Sequence, residues 1–109
     1  MTVTVTASGS QTATISTEHT LLTETNPGIY LLVVDLSPML AGDSVELRIY
    51  GKAGSGDAEQ LLHRGTYGPV PSAVPLVMSV PIVSPHHYRA TLKQIAGTGR
   101  GFPWAVYET

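Results

Sequence analysis

Residues His87 to Glu108 read HYRATLKQIAGTGRGFPWAVYE, two runs rich in β-branched and aromatic side chains on either side of the glycine-rich span Ala96 to Gly101. Such runs favour the pleated, half-buried surface of a strand, and the glycines let the chain turn between them. The simplest arrangement is a β-hairpin with a wide loop, the last hairpin of an all-β domain. In the second run Phe102, Trp104 and Val106 alternate with Pro103, Ala105 and Tyr107. That alternation gives one large apolar face at the period of two that a strand requires. The face carries the chain's only Trp and only Phe, so it is expected at the centre of the core. Pro103 has no N–H to give to a ladder, which predicts a sheet edge or a bulge at that position.

Working back from this stretch, Ser84-Pro85-His86 leads into it, and Leu76 to Val83 is apolar with Pro81 inside, the pattern of another edge or bulged strand. Gly68 to Pro75 holds Pro69, Pro71 and Pro75 and reads as a stiff extended connection. Ala58 to Tyr67 is a polar strand. It is expected antiparallel to Asp43–Gly51, where Val45, Leu47 and Ile49 face in and Ser44, Glu46, Arg48 and Tyr50 face out. Lys52 to Asp57, KAGSGD, is a loop tip between them. Ser37-Pro38 is placed to cap one helical turn through Met39 and Leu40, closed by Gly42.

Ile29 to Leu36, IYLLVVDL, is apolar on both faces, which implies a strand covered on both sides or a face covered by another subunit. It follows the turn Asn26-Pro27-Gly28. At the start of the chain Val3, Val5 and Ala7 alternate with Thr2, Thr4 and Thr6, a strand with one wet face. Ser8-Gly9-Ser10 is expected to turn the chain, and weaker strands follow over Gln11–Ser16 and Glu18–Thr25. Some eight short strands with turn signals between them predict a single antiparallel β-sandwich over residues 1–109. The topology is jelly-roll-like or, alternatively, immunoglobulin-like, and residues 1–10 form an extended arm or edge strand. Leu47, Ile49, Leu92, Trp104 and Val106 are its expected core.

Composition narrows the chemistry. With 109 residues, 42% of them apolar and 13% charged, the chain is long enough for one core and has a globular composition. A net charge of −2 without a basic run gives no electrostatic footprint for nucleic acid. No stretch approaches the roughly 20 apolar residues of a membrane helix, and the Thr-Val opening is not a secretory signal. Without cysteine there is no disulfide, thiolate metal site or cysteine nucleophile.

Gly97-Thr98-Gly99-Arg100-Gly101 invites a phosphate-loop reading, but the strand, loop and long helix context and the Lys-Ser/Thr ending are missing. A hairpin tip is the simpler account. His86 and His87 are adjacent and point to opposite faces of a strand, so joint metal ligation needs a loop and a third ligand such as His19 or His63. No Gly-x-Ser-x-Gly elbow occurs. No catalytic, cofactor-binding or metal-ligating residue is assigned. Tyr50 and Tyr67, on neighbouring strands, make the best aromatic pair for a sugar-binding face. The surplus of apolar residues over what one small sandwich hides points instead to a docking interface. Thr2, Val3, Thr4, Val5, Leu32, Val34, Val70 and Val74 are its candidate residues.

The opening TVTVTASGS with TEHTLL, the central YLLVVDLSPMLAGDSVELRI and the closing TLKQIAGTGRGFPWAVYE together resemble small virion proteins of tailed bacteriophages, of the capsid decoration (cement) type. The resemblance implies a β-sandwich on the outer surface of the virion that staples neighbouring copies of the major capsid protein. It carries no site residue. A homo-oligomer, dimer or trimer, is expected on a local axis of the shell, made in the host cytoplasm and needing no cofactor. A carbohydrate- or host-surface-binding module on the virion is the alternative.

Overall fold

A computed structural model describes residues 2–109. Its strands are β1 (Thr4–Thr12), β2 (Glu18–Glu24), β3 (Gly28–Asp35), β4 (Ser44–Gly51), β5 (Gln60–Tyr67), β6 (Leu76–Met78), β7 (Ile82–Ser84), β8 (Tyr88–Ala96) and β9 (Gly101–Glu108). There is no helix among the described residues. The strands form two antiparallel sheets. The front sheet has the order β1-β9-β3-β6, with β7 also pairing β3, and the back sheet the order β2-β8-β4-β5. The two pack face to face as a β-sandwich.

Alternation decides which side chains meet between the sheets. From the front sheet come Tyr30, Leu32 and Val34 of β3, Phe102 and Val106 of β9 and Ile82 of β7. From the back sheet come Val45, Leu47 and Ile49 of β4 with Tyr88, Ala90 and Leu92 of β8. The rings of Tyr30 and Tyr88 meet across the gap at 5.0 Å between centroids, tilted by 33°. Phe102 is fully buried, a burial that contributes on the order of 2–3 kcal/mol. The β4 alternation, its antiparallel pairing with β5 and the extended connection after Gly68 are as the sequence implies.

Several expectations are corrected. Residues 88–108 are not a hairpin: β8 pairs β2 and β4 in the back sheet, whereas β9 pairs β1 and β3 in the front sheet. Ala96–Gly101 is therefore an arch that carries the chain from one sheet to the other. Periodicity cannot tell such an arch from a hairpin, because both join two alternating strands through glycines. Pro103 lies in a mid-sheet strand, not at an edge. It is tolerated because the β3 ladder stops at the pair Val34–Trp104, one residue short of it.

Trp104 is half-buried at the margin of the core, its ring beneath Gly9, and the central aromatic is Phe102. The Ser8-Gly9-Ser10 turn does not form, since β1 runs through it in register with Ala105, Trp104 and Pro103. Lacking a side chain, Gly9 leaves room for the indole. Ser37 to Leu40 makes turns and no helix, with Met39 N–H donating to the Leu36 carbonyl and Asp43 N–H to that of Leu40. Leu76 to Val83 splits into β6 and β7. The Ser79 hydroxyl accepts from Leu32 N–H and donates to the Val80 carbonyl at the break, two residues before Pro81.

Candidate functional site

Two loops at one end of the sandwich, 36–43 and the arch 96–101, are tied together by one buried carboxylate. Asp43 is 1% exposed. Its Oδ2 accepts from Leu40 N–H at 2.9 Å and from Arg100 Nε at 2.9 Å, and its Oδ1 from Thr98 N–H at 3.0 Å. The Leu40 amide above all holds its pKa below the usual Asp value; burial opposes this, and Arg100 and Thr98 add to the lowering. Gln94, fully buried, completes the arch by donating to the Ala96 and Thr98 carbonyls and accepting from Arg100 N–H. Gly97 has φ +91°, and a Cβ there would collide with Asp43, so glycine is required at that point. One amide of the glycine-rich span, that of Thr98, thus does hold an anion, and the anion is the chain's own Asp43. Neither Asp43 nor Gln94 stands out in the sequence, because a lone Asp after a glycine and a Gln in a strand carry no spacing signal.

The same end carries the Pro-rich connection 68–75. Its ends are fixed by Gly42 N–H donating to the Pro69 carbonyl at 2.8 Å and Leu36 N–H to the Pro75 carbonyl at 2.9 Å. Between these anchors Val70 and Val74 are 77% and 71% exposed. The two residues named from sequence are therefore held out to solvent on a stiffened loop. Leu32 and Val34, named with them, are 2% and 1% exposed and face the back sheet. They are core residues and unavailable to a partner: of the doubly apolar strand, the even-numbered positions face in.

Thr2, Val3, Thr4 and Val5 are exposed at the opposite end. From Thr4 onward the segment is no free arm. It is the edge strand β1, paired along its length with β9, with a bulge between Val5 and Ala7. Thr6 Oγ1 donates to Glu108 at 3.2 Å within that bulge. The free edge of β1 carries neither a charge nor a proline over residues 4–12, the usual guards of an open edge.

The outer face of the back sheet is a closed polar network. Glu18 accepts from Thr91 Oγ1 and Tyr50 OH, each at 2.6 Å, and Arg48 reaches Glu46 and Tyr50. Partial burial of Glu18 works against ionisation, but these hydrogen bonds and the Arg48 and Arg89 charges prevail and lower its pKa. Glu59 is gripped by Arg89 from Nε and Nη2 and by the ring of His87. The Arg89 hydrogen bonds outweigh desolvation and, with His87, bring Glu59 down to about 2.

This network removes the aromatic platform. Tyr50 faces out with the Arg89 guanidinium 4.3 Å from its ring centroid, whereas Tyr67 pairs with inward-facing Val45 and so points inward. The two rings lie on opposite faces of the sheet. The histidines are not gathered either. His19, on edge strand β2, accepts from Thr14 N–H, and His63, on β5 at the far edge of the same sheet, faces inward opposite Ile49 of β4. Among the described residues no three His, Cys, Asp or Glu side chains are grouped as metal ligands.

What the geometry offers is apolar surface for docking: a rigid tip at Val70 and Val74 and an open, uncharged edge strand. No family model matches the chain, and no curated protein and no solved structure is significantly similar to it.

Proposed function

We propose that the protein is a capsid decoration protein: a jelly-roll sandwich that binds the outer surface of a phage shell and staples neighbouring copies of the major capsid protein. The observation that carries this reading is the pair Val70 and Val74, exposed on a loop stiffened by Pro69, Pro71 and Pro75 and anchored at both ends. A loop already rigid loses little entropy when it docks, so its apolar contact area is realised as affinity. A structural binder present in many copies needs this kind of contact and no reacting group. The identity of the partner rests on the resemblance to small virion proteins.

The strand orders β1-β9-β3-β6 and β2-β8-β4-β5 support the jelly-roll topology. An immunoglobulin-like sandwich keeps its first two strands side by side in one sheet. Here β1 and β2 lie in different sheets, and the last strand inserts between the first and the third.

The test is co-sedimentation of the purified protein with shells of the major capsid protein from the same genome, followed by copy counting. The expected result is saturable binding in many copies spread over the whole shell. Val70→Asp with Val74→Asp is expected to weaken that binding at least tenfold while the far-ultraviolet spectrum stays that of the wild type. Absence of binding, or confinement to a few copies at a tail, overturns the reading.

A further inference from the structure

We infer that the outer face of the front sheet is a homodimer interface, closed by a second copy of this chain packed sheet against sheet. The outward positions of a sandwich are ordinarily polar. On the back sheet most of them are: Glu18, Glu46, Arg48, Arg64, Arg89 and Lys93 stand on its outer face, with Leu61 an apolar exception beside Tyr50 at its edge. The front sheet breaks that rule. Pairing aligns Val5 with Tyr107 and Leu31 in one outer row, Ile29 with Val83 in the next, and Ala105 with Val33 and Met78 in a third. Asp35 is the one charged residue at the outward positions of its paired strands, and its Oδ1 is engaged by Ser37 N–H. Val83 and Met78 are 72% and 61% exposed. Val33 is only 8% exposed yet stands apart from the core cluster, because its cover is the apolar outer row itself.

Charge and size select a second copy as the occupant. A two-fold contact sets the patch against its own copy, residue i against j and j against i, so any charge on it is desolvated without compensation unless an opposite charge meets it. Covering the back-sheet face would desolvate charges that already pair with one another there, whereas the front-sheet face presents a single carboxylate near its margin. The molecule measures 40 and 31 Å along its longer axes, a footprint with room for the roughly 800 Å² per partner that a specific interface hides. Edge-to-edge pairing through β6 and β7 is discouraged by their three-residue length and by Pro75 and Pro81 beside them. Pairing through the open β1 edge would leave this outer face uncovered, so only packing over the face closes it. The inference does not depend on the capsid reading, since it concerns the free protein.

Sedimentation velocity of the free protein over a concentration series tests it. The expected result is a species of twice the 11.5 kDa chain mass. Met78→Lys with Val83→Lys is expected to shift the dissociation constant upward at least tenfold, since the two-fold axis doubles the added charge. Val5→Lys, at the far side of the same face and 58% exposed, is a second variant that leaves the core untouched and is expected to shift it in the same direction. Val70→Asp with Val74→Asp is expected to leave the dimer intact, which separates this interface from the shell-binding tip. A monomer at every concentration up to about 0.1 mM, a trimer, or a dimer indifferent to both lysine variants overturns the inference. A monomeric wild type whose shell binding is lost in the Met78→Lys, Val83→Lys protein does so too, and assigns the face to the capsid.

Discussion

Phe102 and Trp104 sit two residues apart on one strand face, and their unequal burial shows how far period-two reasoning reaches. Alternation puts both on the inner side of β9, but it does not say how much partner sheet lies opposite each. Phe102 is sealed between the sheets, whereas Trp104 is roofed by Gly9 of the edge strand and keeps part of its ring in solvent. Replacing Phe102 by Ala is expected to cost about 3–5 kcal/mol, as for a fully buried large aromatic. Trp104→Ala is expected to cost less, about 2–3 kcal/mol, because a partly exposed ring returns less transfer free energy and the site is open enough to collapse. Urea titrations of the two variants check the order. A larger loss at Trp104 would return that residue to the centre of the core.

Among the elements, β1 changes its meaning most between sequence and structure. The Thr-Val alternation of its first residues is legible, and so is the strand it makes. Its continuation through Ser8-Gly9-Ser10 is not, because the glycine there serves a neighbour's indole and makes no turn. The alternating β4 is read correctly because propensity and period act within a few residues, whereas Pro81 marks Leu76 to Val83 as irregular without showing that the run splits into β6 and β7. The arch at Ala96–Gly101 and the carboxylate that fills it depend on which sheet each flanking strand joins, a non-local choice that leaves no local mark. Val70 and Val74 are legible as a site because prolines hold them away from any ladder, whereas Leu32 and Val34 look equally apolar and are separated from them only by burial. Removal of Thr2 to Ser10 follows from the same placement. As an appended arm the segment would be dispensable for folding. As an edge strand roofing Trp104, its loss is expected to lower stability by several kcal/mol and to raise dye binding to exposed apolar surface. An unaltered urea midpoint would show that β1 contributes no packing.

At the scale of the whole molecule, few charges do the electrostatic work, and three of them are carboxylates held below their ordinary values in separate places. Asp43 locks the loop end, Glu18 lies under Tyr50 and Thr91 on the back face, and Glu59 joins the start of β5 to β8 through Arg89. Each has a lowered pKa in the folded state. For a depressed carboxylate the folded state binds its proton more weakly than the unfolded chain does. Its contribution is therefore complete above the unfolded value, 4.5 for Glu and 3.8 for Asp, and is lost as pH falls through the folded one. The urea midpoint is expected to be level from pH 7 to about 5 and to fall steadily toward pH 2, where Glu59 itself takes up its proton. Glu59→Gln isolates one share of that slope. Its midpoint at pH 7 is expected to drop by the equivalent of about 1–2 kcal/mol, a figure reduced for the partial exposure of the pair. Its fall between pH 5 and 2 is expected to be shallower than that of the wild type, so that the two curves converge in acid. Parallel curves would show that the Glu59–Arg89 pair contributes nothing specific and that acid sensitivity resides in Asp43 and Glu18.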